Sequence, residues 1–326
     1  MRNMRIISLL VSLAAACSCS CQTTQAGPVS FGSGANQFSM EFVEIGSPGN
    51  ADDTTGSPNP AGSVGYTYQM GKYEVSEDMI EKFNASQSLT ITKDTRGANK
   101  PATSVSWNEA ARFVNWLNTS QGFQAAYNFT TGGVNDNIDL WSSADAWQLG
   151  GENRFRHKDA QYWLPSMDEW YKAAYYDPTS STYFDFPTGS DTAPTAVASG
   201  TTAGTAVYDQ DWATGPADIT QAGGLSPFGI MGLGGNVYEW EETTLDLTNG
   251  LGSSSRGVRG GDWDSFSFLL SSSSRVSYLP AFEFINVGFR VASLSSTAAV
   301  PEPGSFALFL TGLAGLGWCS RKRLWK

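Results

Sequence analysis

No cysteine lies between Gln22 and Trp318, so whatever this stretch folds into is held without an internal disulfide and without a thiolate-bound metal. The only histidine is His157, which excludes two-His and three-His metal sites within one chain. It sits in the polar run Asn153-Arg-Phe-Arg-His-Lys-Asp159, with no serine elbow beside it, and is expected at the surface. A core must therefore supply the stability. Hydrophobic residues make up 40% of the 326 positions, aromatics 13% and charged residues only 16%, with 35 glycines. That mix suits a loop-rich globular domain around an aromatic core rather than a disordered chain. The formal net charge is -11, although Arg2, Arg5, Arg321, Lys322, Arg323 and Lys326 crowd the two ends. The middle is more acidic still, which excludes nucleic acid as a partner, because phosphate binding needs a basic footprint.

Helix caps give the first structural landmarks. Ser106-Trp-Asn-Glu109 reads as a capping box opening a helix whose apolar face is Trp107, Ala110, Ala111, Val114 and Leu117. Ser166-Met-Asp-Glu169 is a second, followed by Trp170, Ala173 and Ala174 at helical spacing. Ser76, with Glu77 and Asp78 after it, caps a third carrying Met79, Ile80 and Phe83. Met40–Ile45 and Tyr66–Met70 alternate like short strands. Beyond residue 180 the helical pattern fades into glycine, serine, aspartate and isolated aromatics. The expected class is α+β, with few helices and much irregular backbone.

The ends read as addresses. Arg2 and Arg5 precede the apolar stretch Ile6–Ala16, too short for a membrane span but suited to a secretory signal. Thr24-Gln-Ala26 resembles a cleavage site, so residues 1–26 are read as a signal peptide and the mature chain is expected to begin at Gly27. A rival reading takes Leu13-Ala-Ala-Ala-Cys17 as a lipobox with Cys17 lipidated, though Ala14 stands where a lipobox has leucine. Residues 299–326 run through Val300-Pro-Glu-Pro-Gly304, an apolar stretch from Phe306 to Trp318, and Arg321-Lys-Arg323. The apolar stretch is marginal as a span, and the basic cluster favours the cytoplasmic side. The order of these parts resembles the PEP-CTERM sorting tail, which implies an exosortase-type machinery as partner. A simple C-terminal anchor is the alternative. Both place the domain outside the cytoplasm, in the envelope or beyond it.

Between the ends, six motifs follow one another in a familiar order. They are Gln69-Met-Gly-Lys-Tyr-Glu-Val75, Pro101-Ala-Thr-Ser-Val-Ser-Trp-Asn-Glu-Ala-Ala-Arg-Phe113 and Tyr162-Trp-Leu-Pro-Ser-Met-Asp-Glu-Trp-Tyr-Lys-Ala-Ala174. Ser226-Pro-Phe-Gly229 with Gly235-Asn-Val-Tyr-Glu-Trp240, Val258-Arg-Gly-Gly-Asp-Trp263 and Val287-Gly-Phe-Arg-Val291 complete them. The stretch resembles the formylglycine-generating (sulfatase-modifying factor) family, and residues 27–298 are assigned to one such domain. The resemblance implies a C-type-lectin-like α+β fold with little regular secondary structure. Trp107, Trp170, Trp240 and Trp263 are expected in its core, and the motif glycines in turns that need positive φ.

The resemblance also carries chemical expectations. Family enzymes bind copper through two cysteines that fall here on Ser265 and Leu270. Neither side chain can supply a soft thiolate, so no copper is expected. The family places calcium at the Gly-Asn-Val-Tyr-Glu-Trp turn, which implies Gly235, Val237 and Glu239 as ligands. A further family ligand position is occupied by Gly232. The segment from 264 to 285 corresponds to the bottom of the enzymes' substrate groove and to the recognition surface of fold-sharing variable proteins. Arg275 and Tyr278 are its candidate ligand contacts, to an extracellular glycan or peptide. Phe266 and Phe268 either belong to that recognition surface or alternate with Leu270 into the core as an ordinary strand. Two classes of function stand open: a surface-associated binding or structural module, or a divergent enzyme, a formylglycine-generating-type oxidoreductase included, acting on an extracytoplasmic protein.

Overall fold

The computed structural model describes residues 27–295; the signal and tail assignments lie outside them. Three α-helices form where caps announced them: α1, Glu77–Ser86; α2, Trp107–Ser120; and α3, Met167–Tyr175. Ser76 accepts a hydrogen bond from the Met79 amide, and both capping boxes are complete. Each cap satisfies amides that the first helical turn leaves without partners. Trp107, Ala110, Ala111, Val114 and Leu117 are all fully buried, so the apolar stripe of α2 faces the core as its spacing requires.

Two four-stranded sheets frame the helices. In one, β1 (Phe42–Ile45), β2 (Tyr68–Gly71), β8 (Ala292–Leu294) and β3 (Tyr162–Trp163) pair antiparallel in that spatial order. The sheet thus joins the two ends of the described chain, with Val43 opposite Met70 and Met70 opposite Ala292. In the other, the order is β6 (Val276–Tyr278), β5 (Arg256–Arg259), β4 (Tyr238–Thr244) and β7 (Val287–Gly288). Strand β7 runs parallel to β4 and the other pairs are antiparallel. The remaining strands are short two-stranded pairs, and no α-helix follows α3 among the described residues. This is the α+β, loop-rich C-type-lectin-like architecture that the motif order implies.

Strand β4 is buried along its whole length although three of its seven residues are glutamates. Each finds an arginine. Glu239 meets Arg290, Glu241 meets both Arg259 and Arg275, and Glu242 meets Arg156. Arg156 also binds Glu169, the capping-box residue of α3. Its guanidinium lies 4.9 Å from the Trp147 ring and 4.4 Å from the Trp163 ring, where π faces favour a cation. Burial alone would raise the Glu169 pKa. The Arg156 charge and hydrogen bonds from Arg156, Tyr66 and the Ser166 amide outweigh it and hold the carboxyl below its ordinary value.

One surface expectation fails. His157 is 8% exposed, because Trp141 stacks edge-on against it at 4.6 Å and its Nδ1 accepts the Asp159 amide at 3.1 Å. Its polar neighbours in sequence hid a covering ring that lies outside the run.

The ion pairs on β4 generate a stability prediction. Arg156→Met leaves Glu169 and Glu242 buried without their cation and should lower the unfolding free energy by about 3–5 kcal/mol. Lys82→Met, which removes only the part-exposed pair with Asp78, should change it by less than about 1 kcal/mol. Urea unfolding of the two variants checks both values, and equal small losses would contradict a dependence of the fold on this pairing.

Candidate functional site

The Gly235–Trp240 turn is built by backbone strain and buried polar groups. Gly235 has φ 80° and Asn236 φ 64°, two consecutive residues in the left-handed region. A Cβ on Gly235 would collide with the Val207 carbonyl, so glycine is required there. Asn236 tolerates the conformation while its side chain bridges, donating to Glu74 Oε1 at 2.8 Å and accepting from the Ala217 amide at 2.8 Å. The four motif tryptophans are buried as expected, and each indole N–H has a partner. Trp107 donates to the Glu241 carbonyl, Trp240 to the Val105 carbonyl, Trp263 to the Trp212 carbonyl and Trp170 to Glu239 Oε2.

Glu239 faces no open cavity. Arg290 donates to both of its oxygens at 2.5 Å, and Trp170 adds a third bond at 2.8 Å. Arg290 further donates to the carbonyls of Gly71 and Met231. A calcium ion on Glu239, the role that the resemblance implies, would share these oxygens with the guanidinium, which leaves one lone pair of Oε1 uncommitted. Gly235 and Val237 contribute buried backbone to the same turn. Beside them, Glu74 Oε2 is buried and has no hydrogen-bond partner. Gly232, with φ 79°, makes room for that carboxylate, since a Cβ would press into it.

The segment from 264 to 285 departs from the expected strand. Asp262 Oδ1 accepts from the Asp264 amide and from the Ser265 hydroxyl at 2.6 Å, which turns the backbone. Ser267–Leu270 then forms a 3₁₀ helix. Its tighter turn breaks the alternation, so Phe266 and Phe268 are 64% and 63% exposed, stacked on each other at 6.1 Å. Only Leu270 enters the core, packed with Ala206 and Tyr208 while its carbonyl accepts from the Tyr175 hydroxyl. Ser265 and Leu270, the positions on which the resemblance places the family's copper cysteines, thus present a bonded hydroxyl and a buried isobutyl group.

The two candidate contact residues behave differently. Arg275 turns inward: its side chain is 4% exposed, its Nε donates to Glu241 at 2.8 Å, and its Nη2 donates to the carbonyls of Thr243 and Thr244. It ties β6 to the end of β4. Tyr278 is half-buried, with its ring 4.1 Å from Phe284 and edge-on to Trp240. Of the two readings of Phe266 and Phe268, the structure takes the surface one. The signal was available in Asp262 and Ser265, whose spacing permits the turn that lifts the backbone out of strand geometry.

The orphaned Glu74 oxygen leads to a pH prediction. Burial, opposed by Arg290 and reinforced by Glu239, pushes the Glu74 carboxyl up to about 7 from an ordinary 4.5. The folded chain therefore binds this proton more tightly than the unfolded chain. The stability it contributes is complete below about pH 4.5 and is lost as pH rises through about 7. Glu74→Gln should remove that fall, so that thermal unfolding of the variant shows a smaller decline between pH 4.5 and 7 than the parent. Parallel declines would exclude Glu74 as the source.

A family model described as the sulfatase-modifying factor enzyme 1-like domain matches residues 22–294. The PEP-CTERM protein-sorting motif matches residues 299–322. No curated protein matches the chain. Among solved structures, Treponema denticola variable protein 1 is similar at TM-score 0.56 and 19% identity, covering 82% of this chain and 99% of its own. CarF is similar at TM-score 0.56 and 19% identity, over 78% of this chain and 98% of its own. PvdO from Pseudomonas aeruginosa is similar at TM-score 0.50 and 18% identity, over 82% and 98%. At these identities the likeness shows the fold. With the family model spanning most of its length, the chain belongs to the sulfatase-modifying factor enzyme 1-like domain family.

Proposed function

We propose that this protein is an exported binding module, held at the cell envelope by its sorting tail, that presents the segment from 264 to 285 to an extracellular peptide or glycan. The observation that carries the reading is the pair Phe266 and Phe268, stacked and exposed on a backbone anchored by Leu270. Two rings held out by a fixed turn offer contact area without ordering cost on binding. Phe282, half exposed and edge-on to Phe284, extends the same segment. The PEP-CTERM match supports handling by an exosortase-type machinery and a final place in the envelope. No helix among the described residues is long and apolar enough to cross a membrane, so on this reading the anchor belongs to the tail.

The oxidase chemistry of family enzymes has no counterpart in the groups at the matching positions. Ser265 donates a hydrogen bond to Asp262, and Leu270 carries only a hydrocarbon. Copper binding through two thiolates cannot be built from a hydroxyl and a hydrocarbon.

The double variant Phe266→Ser, Phe268→Ser should keep the parent melting temperature and lose at least about tenfold in binding to the producing cell's extracellular matrix, the loss expected from two contact aromatics. Unchanged binding by the folded variant would remove this surface from consideration. The parent protein, given copper, oxygen and a sulfatase peptide, should yield no aldehyde; product formation would restore the enzymatic alternative.

A further inference from the structure

The sheet that carries the three buried glutamates has one open edge. Strand β6 bonds to β5 on one side, with Val276 opposite Val258, Ser277 opposite Gly257 and Tyr278 opposite Arg256. On its other side, no backbone group of 276–278 has a backbone partner among the described residues, and all three residues are part-exposed. Two other sheet edges are closed. Gly288 of β7 is buried, with the Ala102 carbonyl so near that a Cβ would press into it. On β3, the Tyr162 amide and carbonyl are both taken by the Asn118 side chain. An open edge presents N–H and C=O groups in alternation at the strand repeat. A second extended backbone matches that array, whereas the hydroxyls of a sugar do not repeat at its spacing.

An open recess of about 410 Å³ lies where this edge runs out, lined by Leu245, Asp246, Ser253, Ser254, Ser255 and Leu279. Continuing the register by one residue sets Leu279 beside Ser255, whose carbonyl accepts from the Leu245 amide. Leu245, Ser255 and Leu279 thus form a row across the ends of β4, β5 and β6, and the two leucines stand exposed. A residue paired with Leu279 from outside the sheet would turn its side chain to the same recess. The charge beside the recess has one sign. Asp246 lines it, and hydrogen bonds from Thr244 and Thr248 hold its carboxyl below the ordinary value. Glu283, on the segment that follows, is exposed. The cations of this region face inward: Arg256 and Arg259 are fully buried, and the Arg275 side chain is committed to Glu241. A second copy of the chain would set carboxylate against carboxylate here, while a peptide bearing Lys or Arg meets opposite charge.

We propose that an extended basic peptide adds to β6 as a fifth strand of this sheet, with an apolar side chain seated in the recess between Leu245 and Leu279. The proposal rests on the reading of the segment from 264 to 285 as a recognition surface, and it narrows the partner to a polypeptide bound through its backbone. It also gives the inward turn of Arg275 and the packing of Tyr278 on Phe284 a use. Both side chains fix the edge strand in place, so that its peptide groups, rather than those side chains, make the contact.

Calorimetry and hydrogen–deuterium exchange on the purified full-length protein test the proposal. The probes are end-capped peptides Lys-Thr-Z-Thr-Z-Thr-Lys, with Z as Val, Leu or Phe, and isomaltoheptaose as a neutral glycan. At about 1 mM, at least one peptide should bind and slow the exchange of the amides in 276–278, and isomaltoheptaose should do neither. Leu279→Lys, at an exposed position, should weaken peptide binding by about tenfold or more. Should that variant fail to fold, Leu245→Lys on the opposite wall carries the same expectation. Binding by none of the peptides, binding that leaves the 276–278 amides exchanging freely, protection of those amides by the glycan, or parent affinity in the folded variant would each overturn strand addition. The wider reading stands or falls separately. Matrix binding that is lost with Phe266 and Phe268 while the peptides fail overturns strand addition alone. Matrix binding indifferent to the two rings overturns the wider reading even where the peptides bind.

Discussion

The fold depends on the burial of three glutamates in one strand. Glu239, Glu241 and Glu242 are withdrawn from water, and each would be costly without a cation beside it. The partners come from four places: Arg156 ahead of α3, Arg259 on the neighbouring strand, Arg275 just before the edge strand and Arg290 near the end of the domain. Strand β4 can reach its native surroundings only when all of these segments are in position. The ion pairs thus act as registration marks between distant stretches of chain, and hydrophobic burial supplies the net driving force.

The same arginines solve a second problem. A domain with short strands must bury loop backbone, and buried carbonyls need donors. Arg290 serves Gly71 and Met231; Arg275 serves Thr243 and Thr244; Arg259 serves Ser57, Ser272 and Ser274. A guanidinium has five N–H donors, so one side chain can neutralise a glutamate and still hold two or three loops. Arg256 shows the device without a carboxylate. It donates to the carbonyls of Gly252 and Ser254 and lies between the rings of Trp107 and Phe155.

What the sequence made legible was local. Ser76, Ser106 and Ser166 announced three helices because a cap and the turn it closes lie within four residues. The motif tryptophans read as core because size and apolarity decide burial almost alone. The charges were illegible for the opposite reason. Nothing near Glu239 in the chain announces Arg290, and nothing near Arg275 announces that Glu241 requires a second cation. Alternation alone could not decide between surface and core for Phe266 and Phe268, because it carries no sign of the Asp262 side chain that bends the backbone. A cavity beside Asp168 was equally hidden, since its walls come from four separate stretches of chain.

The anchoring of the 264–285 segment has an evolutionary consequence. Its attachments run inward, through Ser265 to Asp262, through Leu270 to Tyr175 and through Arg275 to Glu241. Phe266 and Phe268 lie on the other side of those attachments and contribute little to them. On the proposed reading, changes of specificity can therefore accumulate at the two rings without being filtered by folding. The motifs that mark this chain's kinship lie in the frame, so kinship here records how the frame is tied and is silent on what the outer face has been selected to recognise.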